Sequence, residues 1–583
     1  MTPAPTIDGI LTMMRRSRQK LIPDGAIPAT LYLFLLLVIP LSILVTYSFW
    51  KADFFSVTRT FTLENYTHLI DSPIFLSILL KSLITSLIAS TIAVFIAYQI
   101  AYAVIFKFRV WGPRILVLIM ASLLSSYIVR LYALTTILGT NGILNKAFIS
   151  LGIIDEPLSY LLYGYPAIVL TLVYVYLPMA VLPIYAGLQG IDRKLFEASR
   201  DLGFGPIRTF LRITLPLSMR GVRTAFAFCF ILAAADYVAP RMVGGLDGQM
   251  IGSIIADQFG GASNYPFGAT LSISMIFGFA IVLGGCFGIE RTIVAIGKLP
   301  LWRGTARYTQ LRLPNMPVTE TVTLLSLVFL FAPLITVFVF SFNDTPNPGL
   351  PFSGFTLHWY GDVISSPEFH RVLKASLKIA AIGVVGAMAL GLPIAIVLVR
   401  RNFYLKKPVN LLVFAPMAVP GVVIGVALLA TFVTLEIRLG LATAAAAHVM
   451  LVLPFVVQVV RARLEKVDER VEEAARDLGS SAFRVLRTVT IPILLPAILG
   501  AGMLSAAVSL DELLVTNFTI GRDATIPVWI ASQMRTGLTP ALNAVAIMMM
   551  VGTLGMIGAA FYLVQFSSRK RTKQVQRAQN DAR

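Results

Sequence analysis

The sequence predicts an all-α polytopic membrane protein, with about 12 transmembrane helices in two parallel six-helix halves. Three observations predict it. Hydrophobic residues make up 57% of the 583 residues and charged residues only 13%, a balance that no water-soluble globular domain needs. Apolar runs of about 20 residues recur, each long enough to cross hydrocarbon as a helix that satisfies its own backbone groups. The chain also repeats itself. Glu197-Ala198-Ser199-Arg200-Asp201-Leu202-Gly203, running on to Pro216, returns 276 residues later as Glu473-Ala474-Ala475-Arg476-Asp477-Leu478-Gly479, running on to Pro492, with 9 of 20 aligned positions identical. A repeat at about half the chain length marks two homologous modules.

Taken in order, the N-terminal segment carries Arg15, Arg16, Arg18 and Lys20 ahead of an apolar run from Thr30 to Phe49. That run exceeds a signal-peptide core and ends in Tyr47-Ser48-Phe49-Trp50 rather than a small-residue cleavage site, so it is expected to remain as a first span. The spans of the first half are expected at 29–49, 77–104, 115–138, 161–187, 218–240 and 267–289. Those of the second are expected at 321–341, 373–399, 409–433, 441–462, 494–516 and 541–566. Lys81 and Gln99 interrupt one run, and Lys374 and Lys378 another; a lysine near a span end reaches the interface by snorkelling. Cys229 and Cys286 lie inside apolar runs and read as small packed residues, not a disulfide.

The division expected is a first half at 1–290, a linker at 291–320 and a second half at 321–583. The linker holds Arg291, Lys298, Arg303, Arg307 and Arg312 among Pro300, Pro314 and Pro317, and reads as a basic tether. An even number of spans puts both termini on one side. With the N-terminus cytoplasmic, Lys and Arg outnumber acids by more than two to one in the inside segments, while acids outnumber bases outside, as the positive-inside rule requires. The net charge of +19 is explained this way and calls for no nucleic-acid partner. The outside segments 50–76, 241–266 and 342–372 are too short for a separate domain, so capture of a solute from solution needs another protein.

Both copies of the repeated stretch, within loops 191–216 and 467–492, fall inside. Asp192 and Asp468 suit an N-cap, where a carboxylate answers free amides. Gly203 and Gly479 suit a left-handed helix end. A helix of about three turns is expected between them, with Glu197 and Asp201, or Glu473 and Asp477, on one face. One such amphipathic helix is an ordinary loop anchor; two at equal positions indicate a paired docking surface. The copies differ, since Ser199 faces Ala475 and Phe196 faces Glu472.

The pattern Glu-Ala-Ala, three residues, then Gly in an inside loop resembles the EAA motif of binding-protein-dependent ABC importer permeases. The second copy is intact and the first has Ser199 in place of alanine. The resemblance implies a type I importer permease architecture in the bacterial inner membrane. It implies that Glu197, Ala198, Asp201, Gly203, Glu473, Ala474, Asp477 and Gly479 contact two cytoplasmic ABC ATPase subunits. ATP-Mg would then sit on those partners, with no cofactor in this chain, and a periplasmic binding protein would deliver the solute. Ser126-Tyr127-Ile128-Val129-Arg130, Asn141-Gly142-Ile143-Leu144-Asn145 and Ala235-Asp236-Tyr237-Val238-Ala239-Pro240 resemble the first spermidine/putrescine permease subunit. Ser509-Leu510-Asp511-Glu512-Leu513 and Thr525-Ile526-Pro527-Val528-Trp529 resemble the second, as if the two were fused in tandem. Similar permeases serve ferric iron, thiamine, phosphonates and opines, so the resemblance implies a polyamine without excluding these.

Asp236, with Tyr237 beside it, and Asp511-Glu512 lie late in the fifth and eleventh expected spans. An ionisable group there faces protein or a water-filled path. Two readings stand: an acidic ring that favours a cationic substrate, or interfacial groups that cap a helix or pair with a neighbour such as Arg241. Arg130 reads as a gate contact or as a snorkelling arginine, and His448 as a packed core histidine. The sequence has no GxxxxGK[ST] loop, since Gly297-Lys298 lacks the rest of the motif, and no HExxH or GxSxG. It is therefore expected not to be an enzyme, and ATP-derived energy would enter through the repeated loops. The rival from another class is a twelve-span secondary transporter driven by an ion gradient, which also has parallel halves but leaves the duplicated loops unexplained.

Overall fold

A computed structural model describes residues 21–297 and 318–556 apart from 53–56, 109, 124, 141, 159–161, 246–247, 346–351 and 537–538, together with residue 558. Most of the linker, the basic residues before 21 and the basic tail lie outside the described residues, as does Asn141. The described chain is almost entirely helical. In order, the helices are α1 (Asp24–Tyr47), α2 (Glu64–Asp71), α3 (Pro73–Phe106), α4 (Gly112–Leu123), α5 (Tyr127–Leu138), α6 (Ile143–Ser150), α7 (Tyr165–Gln189) and α8 (Lys194–Asp201). They continue with α9 (Pro206–Ala234), α10 (Val238–Val243), α11 (Ile251–Phe259), α12 (Tyr265–Gly297), α13 (Val318–Phe340), α14 (His358–Ser365), α15 (Pro367–Arg400) and α16 (Lys406–Ala418). The last are α17 (Gly421–Thr434), α18 (Leu441–Leu464), α19 (Arg470–Asp477), α20 (Ala482–Asp511), α21 (Thr516–Thr519), α22 (Ile526–Thr536) and α23 (Pro540–Met556). A two-stranded antiparallel ribbon pairs β1 (Lys51–Ala52) with β2 (Val57–Thr58).

Among the described residues, nine helices are long and apolar enough to cross a membrane, or eleven if each of two bent pairs counts as one span. Those pairs correct two expectations. The run at 115–138 is not one straight span but α4 followed, after a bend of 90°, by the stretch Tyr127–Ser150 that begins with α5, and the run at 409–433 is α16 followed by α17, with a bend of 104°. The second break has a plain cause. Pro420 bars its predecessor from helical geometry, and Val419 sits at φ −88°, ψ 132°. Beyond the breaks, α5 and α17 are buried around their whole circumference, from Ile128 to Thr136 and from Val422 to Phe432; α17 is apolar throughout that stretch apart from Thr431, whereas α5 buries Arg130, Thr135 and Thr136 as well. Expected span 541–566 is described only as far as α23.

Three π-helical turns occur among the described residues, at Phe34–Val38, Phe210–Thr214 and Leu486–Thr490. Each ends one residue short of a proline: Pro40, Pro216 and Pro492. A proline offers no N–H to the carbonyl four residues back, and the helix widens by one residue so that the preceding amide takes up the slack. Ile39 donates to the Phe34 carbonyl, Leu215 to that of Phe210 and Ile491 to that of Leu486.

The chain divides into two compact units that are not continuous in sequence. One comprises Met1–Ile43, Pro367–Trp529 and Val551–Arg583; the other comprises Leu44–Ser366 and Ile530–Met550. In the first unit Ala26, Ala29, Leu33 and Leu37 of α1 share a core with Ala387 and Ile394 of α15 and Met450 and Leu453 of α18, and the Tyr32 hydroxyl donates to the Ala446 carbonyl at 2.7 Å. In the second unit α13 lies against helices of the first half. The Tyr174 hydroxyl donates to the Leu330 carbonyl at 3.2 Å, its ring meets Phe329 edge-on at 5.4 Å, and Lys107 pairs with Glu320 at 3.5 Å. Each half therefore lends its leading helix to the unit built mainly from the other. The halves otherwise build alike: Ser82 and Ser376, each the tenth residue of its long helix, accept the amides of Ile251 and Ile526 at the starts of α11 and α22, both at 2.8 Å.

Close helix packing depends on glycine at one crossing in particular. A Cβ at Gly221 of α9 would clash with the Pro183 carbonyl oxygen of α7, a contact with rigid backbone. Gly221→Val is expected to destabilise the protein by about 1–3 kcal/mol, seen as a lower thermal midpoint in detergent. Gly205→Ala, where no atom lies within 4 Å of the new methyl, serves as the tolerated control.

Candidate functional site: two duplicated loops and the buried acids

The helices of the repeated loops are shorter than the sequence suggested. Each has eight residues, about two turns. Asp192 and Asp468 act just ahead of them, accepting the amides of Lys194 and Arg470 at 3.0 Å through Oδ1. The C-terminal ends are as expected. Gly203 and Gly479 adopt φ +72° and +81°. Their amides reach back to the Arg200 and Arg476 carbonyls at 2.8 Å, and the next amides, of Phe204 and Ser480, to those of Ser199 and Ala475 at 3.0 and 3.2 Å. This is the Schellman arrangement, which closes a helix by turning left-handed.

One face of each helix is open. Glu197, Ala198, Asp201 and Gly203, and likewise Glu473, Ala474, Asp477 and Gly479, are exposed. Large apolar side chains stand out beside them: Leu202 is 72% exposed and Leu478 87%. Exposed leucines among carboxylates are not what a solvated surface requires.

The opposite face is fastened, and here the copies differ in chemistry. In the first, Ser199 is buried and shares a 2.6 Å hydrogen bond with Thr209, while the Phe196 ring packs edge-on against Phe106, the last residue of α3, at 5.4 Å. In the second, Glu472 is buried in the place of Phe196. Its Oε1 accepts from the Thr490 hydroxyl at 3.0 Å, and its Oε2 lies 3.4 Å from Nε of Arg400, the last residue of α15. Arg400 also pairs with Glu469 at 3.3 Å and donates to the Val467 carbonyl at 3.0 Å. The same joint, between a long helix and a loop helix, is aromatic in one half and ionic in the other.

The acids late in the fifth and eleventh expected spans occupy helix breaks, and of them Asp236 is buried while Asp511 and Glu512 are half-buried. Asp236 follows the end of α9 and is 1% exposed. Its carboxylate accepts from the Tyr127 hydroxyl through both oxygens at 2.7 Å, from Tyr176 at 2.9 Å and from the amides of Val238 and Ala239 at 3.0 and 3.1 Å. It thus caps α10 and collects two phenols. Tyr237 is buried next to it. Arg241 bonds to Asp257 and the Ser253 carbonyl rather than to Asp236. Arg130, also buried, donates to the Val175 carbonyl at 3.0 Å, one residue before Tyr176. In the other unit Glu512 follows Asp511 at the end of α20 and accepts the Val515 amide at 2.7 Å. His448 is buried and bridges Ser509 and Thr516 at 2.7 Å each. The Thr516 hydroxyl gives its proton to the Glu512 carbonyl, so His448 Nε2 is the donor there. Sequence reasoning gave Tyr127 only as part of a family-like stretch and Arg400 only as an inside charge, and did not single out Tyr176 or Phe106. Tyr127 and Tyr176 lie 109 and 60 residues from Asp236, beyond any local pattern.

These arrangements meet known proteins as follows. The family described as "Binding-protein-dependent transport system inner membrane component" matches residues 387–569. The putrescine transport system permease protein PotI of Escherichia coli K12 is 32% identical over 278 residues, 45% of this chain and 98% of that protein. The spermidine/putrescine transport system permease protein PotC of the same strain is 34% identical over 246 residues, 42% of this chain and 91% of that protein. PotB of that system and strain is 32% identical over 254 residues, 43% of this chain and 90% of that protein. Each relative is matched almost whole by less than half of this chain, as two permease-sized modules in tandem require.

The ionic joint of the second loop makes a prediction. Arg400→Glu leaves Glu472 buried against a like charge and is expected to lower stability by about 3 kcal/mol or more, read as a thermal midpoint in detergent. Glu472→Arg added to it is expected to recover part of the loss, and the absence of any recovery would show that the pair is not coupled.

Proposed function

Since this chain belongs to the family of binding-protein-dependent transport system inner membrane components, we propose that it forms the whole membrane path of an ABC importer for polyamines. Its relatives are transport permeases rather than enzymes. In this reading both termini and both repeated loops are cytoplasmic. Two separate ATPase subunits, which carry ATP-Mg, seat on α8 and α19, and a periplasmic binding protein presents the solute on the opposite surface. The observation that carries the reading is the two-faced build of the loop helices. Glu197, Asp201 and Leu202, and Glu473, Asp477 and Leu478, are open to a partner, while Phe196 and Glu472 tie the other face to the ends of α3 and α15. A partner that shifts a loop helix thereby pulls on a long span. Such coupling requires the loop–ATPase contact to differ in energy between the two states.

The acids give the path its sign. Asp236, with Tyr237 and Arg130 in the same unit, is proposed to line or bias the route, and so are Glu512 and Asp511 in the other. Neutral donors fill the lone pairs of Asp236, yet its charge still acts at a distance inside a low dielectric, and a polyammonium responds to that field. Polyamine is proposed over other solutes because the named systems of the relatives transport putrescine and spermidine.

Putrescine uptake into right-side-out vesicles containing the chain, its ATPase and its binding protein is expected to need internal ATP and to survive an ionophore. Uptake that persists without ATP and collapses with the ionophore overturns the reading. Gly479→Val is expected to insert normally and to weaken substrate-stimulated ATP hydrolysis by up to about tenfold, because a left-handed β-branched residue costs about 1–2 kcal/mol; undiminished stimulation counts against a coupling role. Asp236→Asn is expected to lower putrescine uptake several-fold with the ATPase still co-purifying, and equal uptake would leave Asp236 as a helix cap alone.

A further inference from the structure

A second duplication lies in a different register. At an offset of 294, Phe61-Thr62-Leu63-Glu64-Asn65-Tyr66 returns as Phe355-Thr356-Leu357-His358-Trp359-Tyr360, and each follows a Ser-Phe pair, Ser48-Phe49 or Ser341-Phe342. Both copies are built alike. The Thr62 amide donates to the Phe49 carbonyl at 2.8 Å, and the Thr356 amide to that of Phe342 at 2.7 Å. Each threonine hydroxyl then accepts the amide two residues on, from Glu64 or His358, at 3.1 Å, which starts α2 or α14. The tyrosine in that short helix ties back to the end of the preceding span. Ser48 and Ser341 donate to the carbonyls of Val45 and Phe338, so Tyr66 and Tyr360 are the donors to the serines, at 2.8 and 2.7 Å. Their rings pack on Phe49 and Phe342 at 5.5 and 5.4 Å. Each clip joins α1 to α3, or α13 to α15.

With its polar groups engaged, the clip turns three apolar side chains outward. Phe61, Leu63 and Ile70 correspond at the 294 offset to Phe355, Leu357 and Ile364. All six are exposed, Phe61 by 77% and Phe355 by 83%. Large apolar groups exposed twice in one register are a surface with an occupant. Only Ser72 or Ser366 separates each short helix from the proline that begins the next long helix. In the first copy the exposed set continues along the chain through Ile74, Leu80, Ile84 and Ile88, the open flank of α3, which an apolar span presents to lipid. Of the charged groups of the first clip, Lys51 and Glu64 pair with each other at 3.0 Å and Arg59 lies over the Trp50 ring at 5.5 Å, while Asp71 is exposed at the end of α2.

We propose that both clips are membrane-interface anchors, with the two Phe-Leu-Ile triads seated in the lipid leaflet opposite α8 and α19. The long span α3 has 34 residues, about 51 Å, and its far end holds the Phe106–Phe196 joint; α15 has the same length and ends at the Arg400 joint. An amphipathic segment with Phe and Leu on one side binds the headgroup–acyl boundary by this burial. The anchors fix the depth of the spans whose other ends carry the loop helices.

The test places a nitroxide at Phe61→Cys or Phe355→Cys in the full chain carrying Cys229→Ala and Cys286→Ser, reconstituted in nanodiscs of bacterial lipid. Oxygen is expected to reach both labels several-fold better than a water-soluble nickel chelate does, while a label at Glu64→Cys shows the opposite ranking. Equal chelate access at 61, 355 and 64 overturns the proposal. Labels open to the chelate until a binding protein is added, and shielded afterwards, also overturn it in favour of protein docking. Ile70→Cys and Ile364→Cys give a second pair should the phenylalanine variants fail to fold. The measurement needs no ATP, ATPase or substrate, so its outcome is separate from that of the transport reading.

Discussion

A backbone group that leaves a helix inside apolar surroundings must find a partner in the protein, and much of this structure answers that demand. Three helices widen to π geometry next to a proline, so that the missing N–H costs one turn of regularity rather than the helix. Ser82 and Ser376 receive the first amides of α11 and α22. Asp236 and Glu512 accept the amides released where α9 and α20 stop. The broken pairs α4–α5 and α16–α17 follow the same logic, since α5 and α17 are almost wholly buried in their units. The buried charge of Asp236 is thus first an answer to a broken helix. Any use of it by a passing cation is built on a group that the fold already needs.

Much of this was legible in the sequence and some was not. Apolar runs located the spans, and the Glu-Ala stretch with its trailing glycine located two helices that end left-handed. Composition reports how apolar a run is but not whether it keeps its direction, so α4–α5 and α16–α17 read as single spans; Pro420 was the available signal for the second. The clips escaped notice because the first half carries 18 extra residues between α3 and α7, which shift the register from 294 to 276. Part of that insertion is α6, stapled by buried Asn145, whose side chain bonds to the Gly139 carbonyl and the Leu158 amide. The surroundings of Asp236 were out of reach because its tyrosines come from distant helices.

The halves keep one geometry and vary its chemistry. The joint at the end of the long span is Phe106 against Phe196 in one half and Arg400 against Glu472 in the other. The first is an apolar contact that salt leaves alone; the second is a largely buried ion pair held by a threonine as well. The acid after the fifth span is ringed by tyrosines in one half and sits beside a histidine–serine–threonine bridge in the other. A duplicated gene product with identical halves would fasten both loop helices alike. This one fastens them to their long spans by different chemistry.

The exchange of leading helices bears on how the protein can be made. The unit that begins at Leu44 also draws on α13 and on Ile530–Met550, and the other unit joins Met1–Ile43 to residues that start at Pro367. Neither can close while only the first half has left the ribosome. The early helices must wait in the bilayer with incomplete neighbours until nearly the whole chain has been synthesised. Joining the halves in one polypeptide keeps each waiting helix within reach of the unit it will complete, so the fusion turns a search between separate molecules into a step within one.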